Sequence, residues 1–156
     1  MPAGERPRRA LAPGTLDWVE RVAPMRANPV QVSGGRLQSD DRLACDAGSA
    51  RVRAVFANPV AFGAGDTVEL DADDCRFGGV RFVGRLAVSV TAASGYPGLS
   101  GTWSGRLAVD YSGWRVETVA LPLQARSFTG PAVLDVQRLD ALDAAIAFAS
   151  AALSVA

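Results

Sequence analysis

The chain has 156 residues, 49% of them hydrophobic and 21% charged, with a formal net charge of zero. That is the size of one ordinary domain able to bury a core, and no apolar run reaches the roughly 18 residues needed to span a bilayer. A neutral chain lacks the clustered basic surface that drives nucleic-acid binding. The absence of histidine excludes Ser-His-Asp and Cys-His catalysis and the histidine zinc motifs within this chain.

Residues 1–26 read as an N-terminal extension. Arg8 and Arg9 form a twin-arginine pair, but Pro13, Gly14, Asp17 and Glu20 follow where a secretory signal needs an apolar stretch, so no export signal is visible. The stretch "TLDWVERVA" at 15–23 predicts a short helix capped by Thr15, with Leu16, Val19 and Val22 along one side.

Residues 27–156 read as one β-rich domain. An offset of 30 places Ala27, Asn28, Pro29, Val30, Gly35, Asp41, Cys45, Gly48 and Arg51 on Ala57, Asn58, Pro59, Val60, Gly65, Asp71, Cys75, Gly78 and Arg81. Identity at that spacing indicates a supersecondary unit, with hairpin-like repeats at about 27–56 and 57–86. The Asn-Pro pairs act as turns.

Strands follow from alternation. In "SARVRAVF" Ala50, Val52, Ala54 and Phe56 share a face opposite Arg51 and Arg53, and in "DTVELDAD" Val68 and Leu70 oppose Glu69, Asp71 and Asp73. "VRFVGRLAVSV" sets Val80, Phe82, Leu86, Val88 and Val90 against Arg81 and Arg85. If these three are neighbours, an acidic strand lies between two arginine strands. "TWSGRLAVDY" and "WRVETVALPL" read as two more strands joined by a tight Ser112-Gly113 connection. The tail at 139–155 fits either a helix, with Leu139, Leu142, Ile146, Ala149 and Leu153 as its stripe, or a final strand. The expected fold is mainly β, an antiparallel meander or sandwich of hairpin repeats, with a β-solenoid as the alternative and a possible C-terminal helix.

The run from "LACDAGSARV" to "DDCRFGGVRFVGRLAVSV" resembles a family of poorly characterised bacterial exported proteins, often lipoproteins, over about residues 43–111. Gly65-Asp66, Asp74-Cys75 and Gly84 carry the resemblance, while Val83 and Ala47-Gly48 depart from the family's pattern. It implies a β-rich, repeat-containing protein outside the cytoplasm, in the periplasm or at the cell surface, with a Cys45–Cys75 disulfide and no assigned activity. Equivalent repeat positions favour pairing of the two cysteines, against two buried free thiols in a cytosolic protein. In a flat meander, equivalent positions lie two strands or about 9.6 Å apart, beyond the roughly 4.4–6.8 Å between bridged Cα atoms. The C-x-x-G turns would have to curl together. A solenoid would stack them directly.

Asp66, Asp71, Asp73 and Asp74 are the weak candidates for a metal site, with Glu69 beside them, because calcium takes hard oxygen ligands. Their spacing lacks the D-x-D-x-D-G loop, and a solvated strand face opposite arginines accounts for most of them. Two cysteines are too few for structural zinc. Neither Ser100 nor Ser104 sits in G-x-S-x-G. Trp103, Tyr111 and Trp114 read as core before they read as a sugar platform. The reading that results is a non-enzymatic structural or interaction module of the cell envelope with a protein or envelope partner. The alternatives are a carrier of a lipid or small apolar ligand between sheets, and a carboxylate-based hydrolase.

Overall fold

The computed structural model describes residues 15–23, 31–33, 36–58, 63–77, 79–95, 102–118, 125–140 and 144–155. Among these described residues one helix, α1 (15–22), precedes nine strands. These are β1 (Gln31–Ser33), β2 (Arg36–Ala44), β3 (Ala47–Phe56), β4 (Thr67–Phe77), β5 (Val80–Gly95), β6 (Trp103–Thr118), β7 (Ala125–Arg138), β8 (Ala144–Ala151) and β9 (Ser154–Val155). β1 to β8 lie side by side in chain order, every neighbouring pair antiparallel, and β9 joins β7 beyond the end of β8. The sheet does not close on itself. It is a single meander, neither a two-sheet sandwich nor a solenoid. Among the described residues no helix is long and apolar enough to cross a membrane. Asn28-Pro29 and Pro59 of the Asn-Pro turns lie outside the described residues.

Alternation placed the inner face of β3 and β4 correctly, with Ala50, Val52, Ala54, Phe56, Val68 and Leu70 all buried. The charge ladder is in register too: Arg51 lies opposite Asp71, which lies opposite Arg85, and Arg53 lies opposite Glu69. Two expectations need correction. Ser112-Gly113 is no turn, because β6 runs unbroken from Trp103 to Thr118 and carries a bulge there. The tail is no helix either: Ala144–Ala151 pairs along β7 as β8. Alanine's helix propensity is a weak preference, whereas Ile146 and Phe148 gain burial against Val136 and Leu134 directly opposite them.

Bulges, more than turns, shape this sheet. Positive φ recurs at Gly48, Asp74, Gly84, Gly113 and Gly130, on five successive strands, where the ladders of β3 to β6 and the β6–β7 pair slip register. Neighbouring backbones close in along this row. A Cβ on Gly48 would lie 2.0 Å from the Asp74 carbonyl oxygen, and one on Gly84 would lie 2.2 Å from that of Gly113. Each bulge bends its strand and adds twist, so the row forms a crease.

The crease explains how one short helix serves a wide sheet. Eight flat strands would spread over about 34 Å, while the eight residues of α1 are only about 12 Å long. Yet Leu37 on β2, Leu134 and Val136 on β7 and Leu153 beyond β8 belong to one core with Leu16, Trp18, Val19, Val22 and Ala23 of the helix segment. The sheet coils around α1. The predicted helical stripe of Leu16, Val19 and Val22 is buried, and Trp18 is buried with it. Thr15 also points inward, where its hydroxyl lies 2.7 Å from the Tyr111 phenol oxygen.

Candidate functional site

The bulge on β4 fixes the disulfide. Val68, Leu70 and Ala72 face inward by alternation, which would turn residue 75 outward. Asp73 and Asp74 both stay outside, and the extra residue reverses the phase so that Cys75 is fully buried. Asp74 takes the left-handed φ of 51° that this insertion requires, a conformation aspartate tolerates better than most residues. Cys45 occupies the two-residue turn between β2 and β3, so it overhangs the neighbouring strand β4. The Asp46 amide donates to the Arg76 carbonyl at 2.7 Å. The two sulfurs are bonded, with Cα atoms 5.5 Å apart. The expected curling of both turns is unnecessary: a turn residue at the start of β3 is one strand away from β4, not two.

The four candidate metal ligands do not converge. Asp66 is buried and organises the loop before β4, its carboxylate accepting the Ala57 amide at 2.8 Å and the Gly63 amide at 3.2 Å. Asp71 stands on the outer face, 3.2 Å from Arg85. Asp73 lies exposed opposite Ser49, and Asp74 binds Arg81. Among the described residues no group of three acidic, cysteine or histidine side chains is placed to hold a metal ion.

The aromatic side chains are core, not a platform. Trp103, Tyr111 and Trp114 are each at most 3% exposed. Trp114 stacks on Phe82 with centroids 5.5 Å apart, and both meet Trp18 edge-on. Trp103 donates its indole N–H to Glu20 at 3.0 Å, and the Arg138 guanidinium grips the same carboxylate through two nitrogens. The Glu20 hydrogen bond raises the Arg138 pKa further above its ordinary value. This cluster ties α1 to β6 and β7. Alternation does not reveal it, because its partners lie 83 and 118 residues apart in the chain.

A groove of about 390 Å³ lies on the opposite, solvent-facing side of β3 to β6, where Arg51, Arg53 and Arg85 alternate with Glu69, Asp71 and Asp110. Arg51 reaches Asp40 with two nitrogens at 3.3 and 3.1 Å, and Arg53 lies 3.9 Å from the same carboxylate. Three arginines against three acids leave the lining without net charge. Exposed pairs of this kind contribute about 0.2–1 kcal/mol each, enough to fix register rather than to hold the fold.

A pH profile follows from these environments. The Arg51 hydrogen bond lowers the Asp40 pKa, and the Arg106 hydrogen bond does the same for Asp135. A carboxyl depressed in the folded chain stabilises above its unfolded pKa near 4 and loses that contribution as pH falls through its folded value. Burial raises the Tyr111 phenol, so its contribution is complete below the unfolded value near 10 and is lost as pH rises above that. There is no histidine and no free thiol. Burial raises the Asp17 carboxyl, which offsets part of the acid-side loss, and the expected melting temperature is level from about pH 5.5 to 8.5 and falls on both sides. A scan of Tm against pH checks this, and a step near neutrality would contradict it.

Compared with protein families, curated proteins and solved structures, the chain matches none.

Proposed function

We propose that this chain is a non-enzymatic structural or interaction module that works outside the cytoplasm at a bacterial cell envelope. The observation that carries the reading is the Cys45–Cys75 disulfide, closing 30 residues of chain at the end of the creased sheet. Structural disulfides persist in oxidising compartments and are rare where glutathione keeps thiols reduced. The apolar side of the sheet is occupied by α1 and the aromatic cluster, which supports a scaffold more than a carrier. To carry a lipid, α1 would have to leave and break the Glu20 contacts with Arg138 and Trp103. The hydrolase reading is weaker still, because Asp71 is paired with Arg85, and Glu69 of β4 and Asp110 of β6 share the groove lining with three arginines.

Thiol titration tests the reading. Protein taken from its native compartment, denatured without reductant and treated with a thiol reagent, is expected to show no reactive thiol. Two reactive thiols per chain would sink both the disulfide and the compartment it argues for.

A further inference from the structure

The two edges of the open sheet differ in a way that points to a partner. One edge begins with β1, only three residues long, and beyond it β2 presents Asp40, Asp41 and Arg42. A short, charged edge is protected against pairing with another strand. The other edge is β8, eight residues long, which pairs with β7 on one side and with no strand on the other among the described residues. From Ala144 to the end of the chain there is no charged residue and no proline. The shortness and charge that blunt the opposite edge are missing here, and the strand's interruption is a bulge at Ala149, where the β7 ladder passes from Ser150 to Phe148.

We infer that β8 is the seam of a homodimer, paired antiparallel with β8 of a second copy about a two-fold axis at Ala147. A second copy suits this edge because an uncharged strand meets itself without like-charge repulsion, and a two-fold axis presents the same strand from both sides. The register is set by the apolar face. With Ala147 opposite its own equivalent, Ile146 stands across from the partner's Phe148 and Phe148 across from the partner's Ile146. Both side chains pack on the core and remain half-exposed, so this pairing covers their remaining apolar surface. On the outer face the exposed Ala147 meets its own equivalent without steric conflict, short of the bulge at Ala149. The two eight-stranded meanders become one continuous sheet.

A seam of eight residues buries less than the roughly 800 Å² per partner of a standard interface, so the dimer is expected to dissociate on dilution. Sedimentation equilibrium of the full chain should approach twice the single-chain mass of 16.2 kDa as concentration rises. Ala147→Lys places two ammonium groups opposite each other across the seam, which disfavours pairing. Within its own chain residue 147 is exposed and faces Asp135, so the fold should tolerate lysine. The variant is expected to remain a monomer at all concentrations with an unchanged far-UV CD spectrum. Should it fail to fold, Ala145→Lys together with Ala149→Lys, both on the same exposed side, brings a lysine of each copy toward one of the other at both ends of the seam and applies the same test. Wild-type protein that stays at 16.2 kDa at the highest soluble concentration, or a folded lysine variant that dimerises like the wild type, overturns the inference. The seam does not depend on the compartment assigned above, so its failure leaves the thiol result untouched.

Discussion

Trp114→Ala is expected to destabilise the fold by about 3–5 kcal/mol, the range for truncating a buried large aromatic. Trp114 is 1% exposed and touches the core from both directions, stacking on Phe82 of β5 and meeting Trp18 of α1 at a 76° interplanar angle. Its position also depends on the bulge at Ser112-Gly113, which returns the chain to the inner face after Tyr111. Alanine would leave a cavity where helix, sheet and crease meet, and the rigid bulge backbone cannot collapse into it. With total stabilities of about 5–15 kcal/mol for domains, such a loss takes up a large share. Urea denaturation followed by far-UV CD measures it as a fall in midpoint at unchanged slope. A loss under about 1 kcal/mol would mean that α1 is not docked against this ring in solution.

Opening the disulfide is expected to cost about 3–4 kcal/mol, the chain-entropy value for a loop of this size, since the two cysteines are 30 residues apart. The double variant Cys45→Ala with Cys75→Ala gives this figure most directly. The single serine variants should differ from each other. Cys75 is fully buried, so serine there adds a hydroxyl to an apolar site, whereas Cys45 is half-exposed in its turn and serine there meets water. Cys75→Ser should therefore lower the urea midpoint more than Cys45→Ser. Equal midpoints would contradict the inward orientation that the Asp73-Asp74 bulge gives to residue 75. The cross-link joins the β2–β3 turn to β4 beside the close approach of Gly48 to Asp74, so its loss should loosen the crease first at that end.

Much of the strand architecture can be read from local pattern. Ala50, Val52, Ala54 and Phe56 alternate with Arg51, Arg53 and Val55, and a pleated backbone with one buried face can accept that pattern in only one orientation. The arginine and acid stripes of β3, β4 and β5 likewise predict their own order, because only adjacent strands bring Arg51, Asp71 and Arg85 into line. The candidate site was far less legible. Asp66, Asp71, Asp73 and Asp74 are close in sequence, yet one is buried in a loop and three serve an exposed face and a bulge.

By itself, then, the sequence determined the β class, the inner faces of β3 and β4 and the exclusion of histidine chemistry. These depend on residue type and a period of two, which any local stretch of chain carries. The tertiary structure alone decided that Ser112-Gly113 is a bulge, that Cys75 and Trp114 face inward, that the alanine-rich tail is a strand, and that α1 fills the coiled sheet. Each of these depends on a backbone insertion or a contact across distant strands. A single extra residue reverses every side chain after it, and its place is chosen by the neighbouring strand's hydrogen bonds rather than by the residues beside it.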